Sequence, residues 1–257
     1  MSRALLAAKS GWGKSWLAQQ WTEDNAPDHD LTVLLDYKDE YRGLVKAGLA
    51  TWAAVTDREM SMTVEGWREF LESNERVVLA RSVTDEQWQE VAAKVARAVR
   101  GSQYTALVVI DESHFVAPQR TGYPDAIRGL ATTGRGEGVS SMWITQRLSE
   151  MDETPVAQSD VRLIGGLTSD ADLAKVGSAV DYNEQVHNPM QQSVRVPDAI
   201  DRDGQPLQKY EQGGQTVGSE WIHSDDSGAM RRIDSRDLSM RSTHFSPDGN
   251  TLTVPGT

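Results

Sequence analysis

Residues 3–15 read Arg3-Ala4-Leu5-Leu6-Ala7-Ala8-Lys9-Ser10-Gly11-Trp12-Gly13-Lys14-Ser15, and the fold turns on this stretch. Its apolar half is short and runs into a glycine-rich loop, which reads as a buried parallel strand. Residues 8–15 match seven of the eight positions of the phosphate-loop pattern G-x-x-x-x-G-K-[ST]. The departure is Ala8, which stands where the pattern has its first glycine. Gly11 and Gly13 let the backbone curl so that successive N–H groups face a phosphate. Lys14 is the point charge for the β- and γ-phosphates, and Ser15 offers its hydroxyl to Mg²⁺. A helix over 13–23 then directs its positive end at the same place. The nucleotide-binding set is therefore Ala8, Lys9, Ser10, Gly11, Trp12, Gly13, Lys14 and Ser15. Trp12 has three readings: a stack on a base, a stack on a neighbouring subunit, or a cover for the loop.

Working outward, Leu31–Asp36 is a second buried strand. Asp36 ends it on the edge where α/β proteins bind ligands, a place to hold a metal-bound water or orient the nucleotide. Arg76–Arg81 is a third strand. Thr84 with Gln87 forms a capping box for a helix whose stripe is Trp88, Val91, Ala92, Val95, Ala96 and Val99, closed by Gly101. Val64, Trp67, Phe70 and Leu71 mark a further amphipathic helix over 63–74. Thr105–Ile110 is another apolar strand and runs into Asp111-Glu112-Ser113-His114. Four apolar residues followed by Asp-Glu is the Walker B pattern. Asp111 is placed to hold Mg²⁺ through water or to orient Ser15, and Glu112 to polarise the attacking water. His114 reads as a packing or hydrogen-bonding residue.

Pro124–Thr133 reads as a helix and Val139–Thr145 as a strand ending in Gln146-Arg147. A polar tip such as Gln146 suits a γ-phosphate sensor. Val161–Leu167 is a further strand and Asp170–Ala179 a helix. The pattern weakens beyond Asp181. Residues 181–238 read as an irregular extension with a hairpin between Glu220–His223 and Ala229–Ile233, and 239–257 as a flexible tail.

Composition narrows the function. The chain has 257 residues, eight of them tryptophan, and no cysteine, which excludes disulfides and thiol chemistry. It shows no long apolar run and no leader pattern, so a soluble intracellular protein is expected, with virion association open. The net charge of −12 argues against broad, sequence-independent DNA binding. Only seven of the 26 basic residues are lysine. Excess acid with few lysines resembles the proteins of salt-loving archaea and their viruses.

Taken in order, the phosphate loop, LLDYKDEY, VVIDESHFVAP and GRGEGVSSMWITQR resemble the HerA/FtsK superfamily of ring ATPases over roughly residues 1–180. The matching positions are Asp36 with Glu40-Tyr41, then Asp111 through His114, then Gly134-Arg135, then Gln146-Arg147. The resemblance implies a RecA-like, mostly parallel sheet with the catalytic glutamate on its own strand, flanked by helices. It implies Mg-ATP hydrolysis, a homo-hexamer and translocation of double-stranded DNA. The small size of the motor is most similar to genome-packaging ATPases of membrane-containing viruses, whose partners include virion or membrane-vesicle proteins. It also implies a subunit-bridging arginine, with Arg135 the candidate and Arg147 the runner-up. Two other readings stay open: a phosphate-loop ATPase acting on protein, and a nucleotide-binding switch without turnover.

Overall fold

A computed structural model describes residues 1–245. In chain order the elements are β1 (Arg3–Ala7), α1 (Lys14–Asn25), β2 (Leu31–Asp36), α2 (Arg42–Lys46), β3 (Thr51–Val55), α3 (Asp57–Met60) and α4 (Val64–Ser73). Then come β4 (Arg76–Arg81), α5 (Asp85–Arg100), β5 (Ala106–Ile110), α6 (Ser113–Val116), α7 (Asp125–Thr132) and β6 (Val139–Thr145). The chain continues through α8 (Glu153–Ala157), β7 (Val161–Ile164), α9 (Asp170–Gly177), β8 (Lys209–Gln212), β9 (Gln215–Asp225) and β10 (Met230–Asp234).

One sheet organises them, in the order β10-β9-β7-β1-β6-β5-β2-β4-β3, with β8 paired to β9. From β7 to β3 all neighbours are parallel, and β9 joins β7 antiparallel. Parallel strands need crossovers, and the helices between them cover both faces. The strands are accordingly apolar on both sides. In β1, Leu5 and Ala7 enter one core with Trp67, Trp88 and Trp143, while Ala4 and Leu6 enter the other with Trp12 and Trp221. The central strands expected from sequence are present, and the capping box of α5 forms as read: Thr84 Oγ1 accepts from Gln87 N–H at 3.4 Å, and Gln87 Oε1 from Thr84 N–H at 3.0 Å.

Three features differ from the sequence reading. β3 went unread, because TWAAV is a half-exposed edge strand with no clean alternation. The stretch 181–238 adds strands to the central sheet, and Tyr182, Val186, Val194, Ile200, Leu207, Trp221 and Ile222 share the α1-side core with β1. The hairpin read at 220–233 forms, but its first strand is longer and lies against β7. Residues 241–244 of the expected tail lie along α1. Glu23 Oε2 and Oε1 accept from the N–H groups of Arg241 and Ser242 at 2.8 and 3.0 Å, and His244 Nδ1 lies 2.9 Å from Gln19 Oε1. Residues 246–257 lie outside the described residues.

Candidate nucleotide site

β1 delivers the phosphate loop between the tips of β6 and β7. Ala8 N–H donates to Thr145 O at 3.3 Å and Lys9 N–H to Gly166 O at 2.9 Å. Ala8 is fully buried and has no left-handed backbone, so a methyl is tolerated where the motif has glycine. The turn itself needs glycine at Gly11 (φ 71°) and Gly13 (φ 87°). Gly13 begins α1 without a side-chain cap, which leaves first-turn N–H groups for a ligand. Lys14 is buried and Ser10 exposed. Lys9 lies 5.5 Å from the Trp12 ring centre; burial and Lys209 hold its ammonium below the usual lysine range, against Glu211.

Trp12 neither reaches out to a base nor presents itself to a neighbour, since it is 1% exposed. Its indole N–H donates to Glu220 O at 3.1 Å, and its own carbonyl accepts from Ser219 Oγ at 2.6 Å. A Cβ on Gly166 would meet its ring at 2.4 Å. The glycines therefore make a slot, and Trp12 bolts the loop to β9. The sequence reading left this open because the contacts span more than 200 residues.

β2 and β5 bring acids to the same edge. Asp36 is fully buried, and its two oxygens accept from the N–H groups of Glu40 and Tyr41 at 3.0 Å each. Burial pushes its carboxyl up to about 7, against those two bonds. Its visible work is to shape the 37–41 loop. Asp111 Oδ1 receives the Tyr41 hydroxyl at 3.5 Å, while Oδ2 is buried without a partner. Burial, with Glu112 beside it, raises the Asp111 carboxyl well above its usual range, opposed by Lys14. Glu112 is 1% exposed with a left-handed backbone (φ 44°, ψ 48°) that aims it off the strand end. Its Oε1 accepts from the Lys38 ammonium, and its Oε2 lies 3.4 Å from His114 Nδ1 without a hydrogen bond. His114 Nδ1 in turn is 3.1 Å from Thr145 Oγ1 at the tip of β6. His114 thus links the two strand tips through a hydrogen bond, one of the two roles read for it from the sequence.

β6 lies between β1 and β5, so the half-buried Gln146 emerges between the phosphate loop and the Asp-Glu pair. Arg147 is exposed and paired with Glu150 at 2.9 Å. Arg135 is elsewhere. It precedes β6 and stands at the opposite edge of the sheet, 3.6 Å from Asp160, which also holds Arg3. Lys14, Ser15, Asp111, Glu112 and Gln146 therefore share one edge of this chain, and Arg135 does not join them.

Two residues went unassigned in the sequence. Glu40 Oε2 accepts the Ser15 hydroxyl, which is one of the two roles the sequence offered for Asp111, the other being Mg²⁺. Lys38 holds Glu112. Both lie in the charged run after β2, which only a resemblance singled out, and then only for Glu40. Among the described residues no three His, Asp or Glu side chains form a metal cage. Ser15 Oγ and the orphaned Asp111 Oδ2 are hard oxygen donors beside a phosphate loop, and they fit Mg²⁺ shared with phosphate oxygens.

The sheet order and this edge define the fold of a phosphate-loop ATPase of RecA-like type, with one strand between the phosphate-loop strand and the acid-bearing strand. Neither protein-family models nor curated protein sequences match the chain. Solved structures do. The genome packaging NTPase B204 from Sulfolobus turreted icosahedral virus 2, in complex with ATP-gammaS, has a TM-score of 0.60 at 13% identity, over 90% of this chain and 96% of that chain. B204 of Sulfolobus turreted icosahedral virus, described as a DNA-packaging ATPase, has 0.58 at 13%, over 90% and 96%. VirB4 of Thermoanaerobacter pseudethanolicus has 0.57 at 11%, over 90% and 88%. In fold the chain resembles these proteins along nearly its whole length. Among the described residues no helix is long and apolar enough to cross a membrane.

Proposed function

We propose that this chain hydrolyses Mg-ATP in a ring of identical subunits, a homo-hexamer, and moves double-stranded DNA as a viral or plasmid genome-packaging motor. The observation that carries the catalytic part is the pair of buried, unpartnered carboxylate oxygens, Asp111 Oδ2 and Glu112 Oε2, at the phosphate-loop edge. Buried carboxylate oxygens without a protein partner are completed by water or an ion, and at a phosphate-loop edge that suits Mg²⁺ and the attacking water.

The Gly11–Gly13 turn and the start of α1 hold the phosphates through N–H groups, and Lys14 adds a cation at the β/γ position. Ser15 and Asp111 would hold Mg²⁺, which supplies charge neutralisation on the phosphate oxygens when bound. Glu112 takes a proton from the attacking water, and Gln146 orients that water. Arg135 is too far around the sheet for its own site, so its finger role requires a neighbour's. The similarity to packaging ATPases supports DNA as the substrate. The net charge of −12 favours the competing reading, an ATPase acting on protein.

One experiment separates them: ATP turnover with and without linear duplex DNA, at low and at molar KCl. Stimulation by duplex supports the motor. Equal turnover with and without DNA supports a protein substrate, and no turnover at all leaves a switch. Activity that grows toward molar salt supports the halophilic reading of the acidic surface.

A further inference from the structure

β7 pairs with β9 only as far as Ile164 with Ile222, so residues 215–221 of β9 run on past the end of β7 and lie over the phosphate loop. Two hydroxyls on this overhang take hold of the loop. Thr216 donates to the Gly11 carbonyl at 3.1 Å, and Ser219 donates to the Trp12 carbonyl at 2.6 Å. The Ser219 contact is fixed from behind. The Trp221 indole N–H donates to Ser219 Oγ at 2.9 Å, and the Ser219 proton goes to Trp12 O, which can only accept. Ser219 is buried, and its own N–H donates to Ser235 Oγ at 2.9 Å.

Each carbonyl is one end of a planar, trans peptide unit, and the N–H at the other end points the opposite way. The Gly11 carbonyl shares its unit with the Trp12 N–H, and the Trp12 carbonyl shares its unit with the Gly13 N–H. Holding both carbonyls against β9 therefore turns both N–H groups away from β9, and a phosphate nest is made of such groups. The loop has little of its own to keep them there. Gly11 and Gly13 flank Trp12 with left-handed backbones, and a Cβ on Gly11 would meet nothing within 4 Å. Glycine has more conformational freedom to lose than any other residue, so peptides beside it need an outside hold. The enclosed Trp12 ring anchors its own residue but not the peptide planes on either side.

Resting on the reading of residues 8–15 as the phosphate site, we propose that Ser219 and Thr216 are positioning residues for nucleotide phosphate. From behind the loop they hold the Trp12 and Gly13 N–H groups in the phosphate-binding orientation. The strands after residue 181 thereby supply part of the affinity for ATP, by sparing the ligand the work of ordering the loop.

The test is titration calorimetry of the full chain with two ligands, a non-hydrolysable ATP analogue and inorganic pyrophosphate, each with Mg²⁺. Thr216→Val removes one hydroxyl and weakens both ligands about threefold, the worth of one hydrogen bond. Thr216→Ser keeps the hydroxyl and the wild-type affinity. Ser219→Ala frees the more enclosed peptide and weakens both ligands about tenfold, as for a loop that is competent roughly one time in ten. In turnover, Thr216→Val and Ser219→Ala raise KM by these factors and leave kcat within about twofold, since bound phosphate itself orders the loop. Equal factors for the analogue and for pyrophosphate locate the loss at the phosphates. A loss confined to the analogue overturns the proposal, as do Thr216→Val and Ser219→Ala variants that bind pyrophosphate like the wild type. A Thr216→Ser variant as weak as Thr216→Val overturns it too, because the hydroxyl is then not what matters. If Ser219→Ala unfolds, the Thr216 pair still decides, since that side chain is exposed. A Lys14→Ala variant that binds pyrophosphate like the wild type instead removes the assignment of the phosphate loop itself.

Discussion

Two glutamates in this molecule are equally hidden and opposite in kind. Glu112 and Glu220 are each 1% exposed. Glu220 sits within β9, and its carboxylate is fully engaged. Oε1 accepts from Arg202 and from the Tyr210 hydroxyl at 3.0 Å, and Oε2 from Gln208 N–H at 2.9 Å and Arg232 at 2.5 Å. Burial alone would push this carboxyl up, yet Arg232 and Gln208 outweigh it and hold it below the usual range. Glu112 has one ion pair, one orphaned oxygen and a left-handed backbone. A buried charge with every lone pair used secures packing, and removing its partner is costly. A buried charge left half-used is a reservoir for chemistry. Around Glu112 the neighbouring orphans, Asp111 Oδ2 and His114 Nε2, extend the same condition.

The sharpest way to break this contrast is to neutralise each acid in turn. Glu112→Gln should lower ATP turnover by about 10²–10⁴-fold, the worth of a positioned general base, with Mg-ATP still bound and the melting temperature little changed. Near-normal turnover would place the base elsewhere on the edge. Glu220→Ala should do the reverse. It strands Arg232, 9% exposed, and should cost about 3 kcal/mol in denaturant unfolding. A loss below about 1 kcal/mol would mean that the network carries no structural weight.

A smaller effect tests the bolt between the phosphate loop and β9. Gly166→Ala puts a methyl into the Trp12 ring, which is enclosed and has nowhere to move, so about 2 kcal/mol of stability should go. Unfolding at the wild-type midpoint would show that Trp12 is not the anchor described here.

The last test is a pH slope. His187 is buried between Gly165 O at 3.0 Å and the Tyr182 hydroxyl at 3.1 Å, and burial pushes its ring down to about 3. Its folded value lies below the unfolded one of 6.5, so the unfolded chain gains a proton that the folded chain refuses. Its contribution is present above pH 6.5 and is lost as pH falls toward 3, by up to about 1.4 kcal/mol per pH unit. His187→Gln should flatten the slope of unfolding free energy in that window. An unchanged slope would exclude His187 as its source.

What could be read without coordinates was local. The strands Leu31–Asp36, Arg76–Arg81 and Val139–Thr145 were legible to the residue, because a strand covered on both faces carries a near-continuous apolar run. The phosphate loop and the Asp111-Glu112 pair were legible because phosphate chemistry imposes spacing on neighbouring residues. The tertiary structure alone decided the rest. It turned Trp12 from a possible ligand platform into an anchor, through partners 207 and 208 residues away. It joined 215–234 to the central sheet, since an antiparallel strand pairs through backbone groups that any sequence carries. It set Arg135 across the sheet from Glu112, and it put Lys38 and Glu40 on the catalytic groups. Long-range pairing leaves no periodic mark on either partner, so a charged run after a strand reads the same whether it faces solvent or closes on a buried carboxylate.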